Sequence, residues 1–303
     1  MLTKIVIISL IYSAPTRINK QKCKDMKFDS SIQVVRNDLE NDYKKKTPML
    51  IDMKFFVIHD NDKGKITKKR INDQINILND AFGGKQHELG VNSKILFRLK
   101  KLVYINDNKL YKSCGNSEDK IVSKYPGDTR KYISVYTCDD DYLGYAYYPT
   151  HEKEGDKTQV VFMNEIAITG SKQILYNIGM TLVHELGHFF GLPHTFNYDR
   201  KCSNNGDDGY TDTPIEKSPN YWCNPNRDTC PNHPGNDPIW NYMDYSPDKC
   251  MNRFTKQQVN DMFANIDYYR PKLKKLSTSN YYKTTTTTTK TTKTTTKTTK
   301  TTT

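Results

Sequence analysis

Three histidines and one glutamate lie within the run HELGHFFGLPH, which extends from His184 to His194. On a helix, His184 and His188 are four positions apart, so they lie one turn from each other on the same face. Two imidazoles on one helical face can bind a single metal ion, and histidine nitrogen is a usual ligand of zinc. The run therefore predicts a zinc site carried by a helix.

The residues around these two histidines predict a catalytic site rather than a structural one. Glu185 follows the first histidine, where it can act as general base towards a metal-bound water. Gly191 can adopt a positive φ, which would end the helix and turn the chain back. His194 can then supply a third nitrogen, and three neutral imidazoles leave the fourth zinc position open for water.

A helix with two surface histidines is the alternative interpretation of such a pattern. It is a serious one for HExxH alone, because short motifs often match by chance. The full HExxHxxGxxH pattern fixes five positions and should occur by chance in roughly one chain of this length in ten thousand. The longer pattern therefore favours the zinc site.

The hydrophobic pattern indicates the elements that would position these residues. Residues 171–190 form a predicted helix that carries the motif, and Gly191 would end it. After residue 191 the chain is rich in Asp, Asn, Gly and Pro and is expected to be irregular. The other predicted helices cover 65–82 and 255–269, and the predicted strands cover 53–60, 95–105, 132–137, 143–148 and 160–164.

The two ends of the chain differ from its middle. Residues 1–14 (MLTKIVIISLIYSA) have the pattern of a secretory signal peptide, with a buried first strand as the alternative. Residues 15–47 are polar and are predicted to be a pro-segment or an N-terminal arm. Residues 48–272 would form the catalytic domain. Residues 273–303, rich in Thr and Lys, are expected to be a disordered tail.

The formal net charge of +12 would usually suggest an anionic partner. Five of these charges are lysines between residues 283 and 300, and the others are scattered among Asp and Glu. Because no Arg-rich patch with interleaved aromatics is present, we expect protein or peptide partners and no nucleic acid. No segment is long and apolar enough to span a membrane, and a monomer is expected.

Four stretches together resemble the pappalysin family of the metzincin clan of zinc peptidases. They are HELGHFFGLPHTF, DGYTDTP at 208–214, NYMDY at 241–245, and CMNRFTKQQVNDM at 250–262. The resemblance implies an α+β zincin of the metzincin type. Its upper part would be a twisted mixed β-sheet with two long helices, and its lower part an irregular, disulfide-bonded subdomain that ends in a helix.

The same resemblance implies a function for individual residues. His184, His188 and His194 would bind zinc, with Glu185 as general base. Met243 would form an apolar floor beneath the metal. Tyr245 would donate a hydrogen bond to the tetrahedral intermediate, although a simple core tyrosine is the alternative. The implied activity is that of a secreted endopeptidase whose substrate pairs with an edge strand, for which residues 143–148 are the candidate.

Seven cysteines leave one unpaired if the other six form disulfides. Cys114–Cys138 is expected to be one bridge. For the four late cysteines, spacing alone allows three pairings, and the resemblance implies Cys202–Cys230 and Cys223–Cys250.

Cys23 is then the odd thiol. By resemblance it would cap the open zinc position in a latent form, although KQKCKD lacks the glycine that usually follows this cysteine in the family. A free or intermolecularly paired cysteine is the alternative.

Two further expectations depend on the resemblance. Asp208, Thr211 and Thr213 would supply oxygens to a structural calcium ion, with a solvated acidic turn as the alternative. Lys249 would line the primed-side specificity pocket and disfavour basic residues after the scissile bond.

Two functions from other classes compete with the endopeptidase. One is a catalytically inactive protein on the same fold. The other is an adhesive surface or wall component that uses the Thr/Lys tail. The presence of all three histidines, of Glu185 and of Met243 favours the endopeptidase over both alternatives.

Overall fold

The structure is a computed structural model, and it describes residues 21–23, 43–112, 114–196, 201–202 and 208–298. The predicted signal peptide, residues 1–14, lies outside the described residues, as does most of the predicted pro-segment. No helix among the described residues has the length and hydropathy needed to cross a membrane.

A mixed β-sheet forms the upper part of the described fold, with the strand order β1-β5-β6-β4-β2-β3. Strand β5 runs antiparallel to β6, and each of the other neighbouring pairs is parallel. The strands are β1 (Gln21–Cys23), β2 (Met49–His59), β3 (Ile95–Asn106), β4 (Ile133–Cys138), β5 (Tyr142–Ala146) and β6 (Val161–Asn164).

Helices cover both faces of this sheet. Central strand β2 alternates its side chains between two cores, with Phe55 and Val57 in one and Phe56 and Ile58 in the other. Burial on both faces explains why this strand has a continuous apolar sequence. The helices are α1 (Lys68–Phe82), α2 (Asn108–Lys112), α3 (Glu118–Lys124), α4 (Met180–Phe189), α5 (Lys256–Tyr269) and α6 (Pro271–Thr298).

The lower part, between α4 and α5, is irregular, as its composition predicts. The disulfides Cys202–Cys230 and Cys223–Cys250 cross-link it, and Cys114–Cys138 joins the segment between α2 and α3 to β4. These are the pairs expected from the sequence. Helix α5 closes this part with a capping box, in which Thr255 accepts from Gln258 N and the Gln258 side chain accepts from Thr255 N. The predicted α+β architecture is confirmed.

The helix of the zinc motif is shorter than predicted. It begins at Met180 instead of residue 171, because Gly179 precedes it with a φ of +101°. Asp248 Oδ2 accepts hydrogen bonds from the backbone N–H groups of Ile178, Gly179 and Met180 and so caps this helix start. The cap comes from a distant loop, which hydrophobic periodicity cannot indicate.

The C-terminal segment also differs from the expectation. Instead of a disordered tail from residue 273, helix α6 continues to Thr298. Its first turns belong to the domain, because Leu273 and Ser277 are buried and Asn280 Nδ2 donates to Leu50 O. Further along, Thr285 and Thr287 donate their hydroxyl protons to carbonyls one turn earlier. The Thr/Lys-rich composition of this segment predicted neither the contacts of its first turns with the domain nor the hydrogen bonds of its threonine hydroxyls.

Candidate metal centre

The imidazoles of His184, His188 and His194 converge on one point. Their Nε2 atoms lie 3.0 Å apart for His184 and His188, 2.9 Å for His188 and His194, and 3.2 Å for His184 and His194. A tetrahedral zinc with Zn–N bonds of about 2.05 Å would have its nitrogens about 3.3 Å apart. The three histidines, all buried, therefore fit a single zinc ion.

Helix α4 and the turn after it produce this convergence. His184 and His188 lie on one face of α4, and Gly191, at a φ of +95°, turns the chain back so that His194 faces them. A Cβ at residue 191 would also lie only 2.4 Å from Asn265 Nδ2 of α5. Glycine is therefore required here both by the backbone conformation and by the packing.

Backbone carbonyls determine which nitrogen of each helical histidine carries the proton. His184 Nδ1 lies 2.6 Å from Tyr242 O, and His188 Nδ1 lies 2.7 Å from Leu192 O. Since a carbonyl oxygen only accepts, each Nδ1 must donate, which leaves the Nε2 lone pair directed towards the common point. The hydroxyl of Tyr148 also lies 3.1 Å from His188 Nδ1.

Glu185 is fully buried on α4 and lies against strand β5. A Cβ on Gly144 would be 2.9 Å from Glu185 Cγ and 3.1 Å from Oε1, so a side chain at residue 144 would displace the carboxylate. Gly144 was not among the predicted site residues. The only feature of the sequence that could have indicated its importance is that a glycine interrupts the apolar strand sequence YLGYA.

Met243 packs against helix α4 at Gly187. Its side chain is fully buried, and a Cβ on Gly187 would lie only 2.3 Å from the Met243 sulfur. Glycine in the middle of HELGH thus lets the helix approach Met243 closely, a function that the motif alone does not indicate. Met243 O also accepts from Thr195 N, next to His194.

Tyr245 lies beside the metal ligands. Its ring centroid is 4.8 Å from that of His194 and 5.8 Å from that of His184. Phe196 packs on its other side, with the ring centroids 4.9 Å apart. Tyr245 is 2 % exposed, so its ring is held by packing.

A largely buried ion cluster supports the chain segment after His194. Glu216 Oε2 accepts from the Thr195 hydroxyl, while its Oε1 and Asp237 Oδ2 both lie 2.5 Å from Arg227 Nη1. Burial, together with the carboxylates of Asp244 and Asp237, raises the pKa of Glu216 well above its usual value. These residues were not predicted, because their partners are far apart in the sequence.

The described part of the predicted calcium loop does not support a calcium site. Asp208 accepts from Tyr210 N and from the Thr213 hydroxyl, so internal hydrogen bonds use its carboxylate. Thr211 turns away and exchanges hydrogen bonds with Gln257 of α5.

Lys249 and Cys23 are the two other predicted residues. Lys249 is exposed in the short turn that follows Pro247. The backbone of Cys23 pairs with Gly144 in the parallel β1–β5 ladder, and Gly144 is the residue that lies against Glu185.

Known proteins share this arrangement. The family model Peptidase_M43, described as pregnancy-associated plasma protein-A, matches residues 116–267. An extracellular metalloprotease of Colletotrichum graminicola is 33% identical over 214 residues, which cover 68% of this chain and 71% of that protein. One from Neurospora crassa is 36% identical over 216 residues, with coverages of 68% and 70%.

Solved structures agree with these relatives. Mature mirolysin of Tannerella forsythia, in complex with a cleaved peptide, superposes with a TM-score of 0.65 at 26% identity. The match covers 77% of this chain and 96% of that one. A promirolysin mutant gives a TM-score of 0.68 at 25% identity, with coverages of 85% and 97%.

The zinc-compatible histidines, the buried glutamate beside them and the agreement with these relatives point to one class of enzyme. The chain belongs to the Peptidase_M43 family, the pappalysins of the metzincin clan, and is a zinc metalloendopeptidase.

Proposed function

We propose that this protein is a secreted endopeptidase that hydrolyses peptide bonds with a metal-activated water and with Glu185 as the general base. The observation that carries the proposal is the convergence of three Nε2 atoms within 3.2 Å beside a fully buried carboxylate on the same helix. Zinc bound there would polarise the scissile carbonyl and lower the pKa of a bound water towards about 7.

Glu185 would move the proton. Its carboxylate would accept a proton from the attacking water and deliver it to the leaving amine nitrogen. Packing against Gly144 fixes the side chain, so little reorganisation is needed when substrate enters. A catalytically inactive protein on this fold is not favoured, because no part of this apparatus has been replaced.

Tyr245 would stabilise the transition state. Its packing against His194 and Phe196 holds the ring next to the ligands, where its hydroxyl could donate to the developing oxyanion.

Strand β5 supports a mode of substrate binding. One edge of β5 pairs with β6, and an extended peptide could add as a further strand along the other edge. In the described structure that other edge is paired with β1, Gln21–Cys23. Residues 21–23 would therefore have to leave before substrate binds, which makes this segment inhibitory in our proposal.

Cys23 would add a chemical block to this steric one. Its backbone lies opposite Gly144, next to Glu185, which supports a thiolate that takes the open zinc position in the latent enzyme.

Two other observations concern the setting of the enzyme. The relatives in C. graminicola and N. crassa are named extracellular metalloproteases, and three disulfides suit an oxidising compartment. We therefore propose secretion, with residues 1–14 as the signal peptide. Attachment to a wall or surface through the Thr/Lys segment and a monomeric state stay predictions, and calcium is not part of the proposal.

Glu185→Gln should lower kcat/KM on casein-derived peptides by about 10³-fold, because the carboxylate loses its basicity while its shape is kept. Zinc content, measured by elemental analysis, should stay at one ion per chain. Exposed Glu152→Gln is the matched control and should keep full activity. A Glu185→Gln enzyme that retained a tenth of the activity would exclude this residue as the base.

Tyr245→Phe should lower kcat by about 100-fold, the usual cost of one missing oxyanion donor, with KM changed much less. Tyr136→Phe is the control. It also removes a tyrosine hydroxyl, which donates to Tyr125 O in the core on the other face of the sheet, so its kcat should change little. If the two substitutions lowered kcat equally, Tyr245 would be a core residue that does not stabilise the transition state.

Cys23→Ser should weaken latency, while the backbone block by residues 21–23 remains. The unprocessed chain, verified by intact mass, should cleave a fluorogenic peptide at least about tenfold faster than the wild type, because a hydroxyl is a much poorer zinc ligand than a thiolate. Lys22→Ser changes the same strand and should stay latent. If both variants were equally latent, β1 alone would block the cleft and the thiol would have no function there.

Lys249→Asp should raise the relative kcat/KM for peptides with Arg or Lys after the scissile bond by about tenfold, since an exposed like charge is replaced by an opposite one. Lys217→Asp changes the net charge equally on another exposed lysine and should not alter the profile. Cleavage-site profiling of a peptide library gives both numbers. A wild-type enzyme that strongly prefers basic residues at this position would overturn the assignment of Lys249.

A further inference from the structure

Arg270 is a buried cation at the junction between α5 and α6. It is 1 % exposed and makes no ion pair with a carboxylate in the described parts of the chain. Burial lowers the pKa of its guanidinium to about 9, so the group is still protonated at neutral pH. A charge in this position costs free energy unless nearby groups compensate it.

The charge of the Glu154 carboxylate acts on this guanidinium and favours its protonated form, and the groups in direct contact with it include the end of the zinc helix. Arg270 Nη2 donates to Phe189 O at 3.0 Å, and Phe189 is the last residue of α4. The guanidinium carbon also lies 3.6 Å from the centroid of the Phe189 ring. The carbonyl end of a helix carries partial negative charge, and an aromatic face attracts a cation. The positive charge of Arg270 is thus positioned at the C-terminal end of α4.

Buried hydrogen bonds at the two ends of Tyr148, its backbone carbonyl and its hydroxyl, connect the same guanidinium with a metal ligand. Nη2 donates to Gln159 Oε1 at 2.7 Å, and Gln159 Nε2 donates to Tyr148 O at 3.1 Å. The Tyr148 hydroxyl in turn lies 3.1 Å from His188 Nδ1. All four residues are at most 5 % exposed.

A core residue with no function at the zinc site is the alternative. The guanidinium is poorly suited to that, since Nε and Nη1 have no protein acceptor among the described residues. An apolar side chain of similar length would fill the space without leaving these donors unbonded. The contacts that Arg270 does make lead to α4 and to His188.

We propose that Arg270 is a positioning residue for the zinc site. It fixes the C-terminal end of α4 through Phe189 O, and through Gln159 and Tyr148 it fixes the orientation of the His188 ring. The inference rests on the proposed zinc enzyme. Arg270 lies at the junction of α5 and α6, touches neither metal nor substrate, and would act only through other residues.

Arg270→Met should raise the zinc dissociation constant about tenfold, the lower end of what an outer partner of a metal ligand contributes. Competition with a chromogenic chelator measures this constant without a peptidase assay. The gain in Tm on adding zinc to the metal-free protein should shrink in parallel. A purely structural residue would lower the Tm with and without zinc alike and would leave the dissociation constant unchanged.

Arg253→Met is the matched control. Its guanidinium stacks on Trp240 at 3.6 Å and donates to Asn252, so the substitution removes a similar stacked cation that is not connected to His188. Its zinc dissociation constant should stay within about twofold of the wild type, well below the effect of an outer ligand partner. Equal zinc affinities of Arg270→Met and Arg253→Met would overturn the proposal. Failure of the wild type to bind zinc would overturn the enzyme assignment instead.

Arg270→Lys and Tyr148→Phe keep the test decisive if Arg270→Met does not fold. Lysine retains the charge but not the planar fork, and Tyr148→Phe removes only the hydroxyl next to His188. If the two residues act through one chain of contacts, their effects overlap. The zinc dissociation constant of the double variant should then rise by less than the product of the two single increases. An increase in the dissociation constant of the double variant that equals the product of the single increases, within about twofold, would show that the two residues act independently. That result would contradict the proposal.

Discussion

Helix α4 has only ten residues, and an isolated helix of this length is marginal in water. It nevertheless holds two of the three converging histidines and Glu185, the general base in our proposal. The structure places an anion at its start, where Asp248 accepts from three backbone N–H groups, and a cation at its end, where Arg270 donates to Phe189 O. Both charges have the sign that the helix dipole favours. The two ends of α4 are therefore held by two residues that follow the motif by more than fifty positions.

Orientation of the imidazoles depends on the backbone of the same distant region. Tyr242 O fixes the proton of His184, and Tyr242 directly precedes Met243, whose sulfur fills the space left by Gly187. The turn around Met243 thus acts on the site in two ways, as a packing surface and as a hydrogen-bond acceptor. A displacement of this turn would change the position of the helix and the tautomer of a ligand together.

Sequence reasoning was most successful where chemistry and local spacing coincide. The motif from His184 to His194 specified its own helix and turn, and the strands followed from their apolar periodicity. Prediction from the sequence failed where residues distant in the sequence decide where an element begins or how it packs. The start of α4 depends on Asp248, and the packing of the first turns of α6 depends on Leu273 and Asn280. Gly144 shows the same limit, because its importance comes from Glu185, which lies on another element.

In our proposal, strand β5 joins regulation to catalysis because it has only one edge left for pairing. A strand has two edges, and one edge of β5 is used by β6, so only one further chain can pair with it. In the structure that chain is β1, whose Cys23 lies opposite Gly144. A substrate that adds to the sheet needs the same backbone donors and acceptors of β5. Pairing with residues 21–23 and binding of such a substrate are therefore mutually exclusive, whatever the side chain of Cys23 contributes. The thiol can strengthen this competition, but the shared edge already produces it.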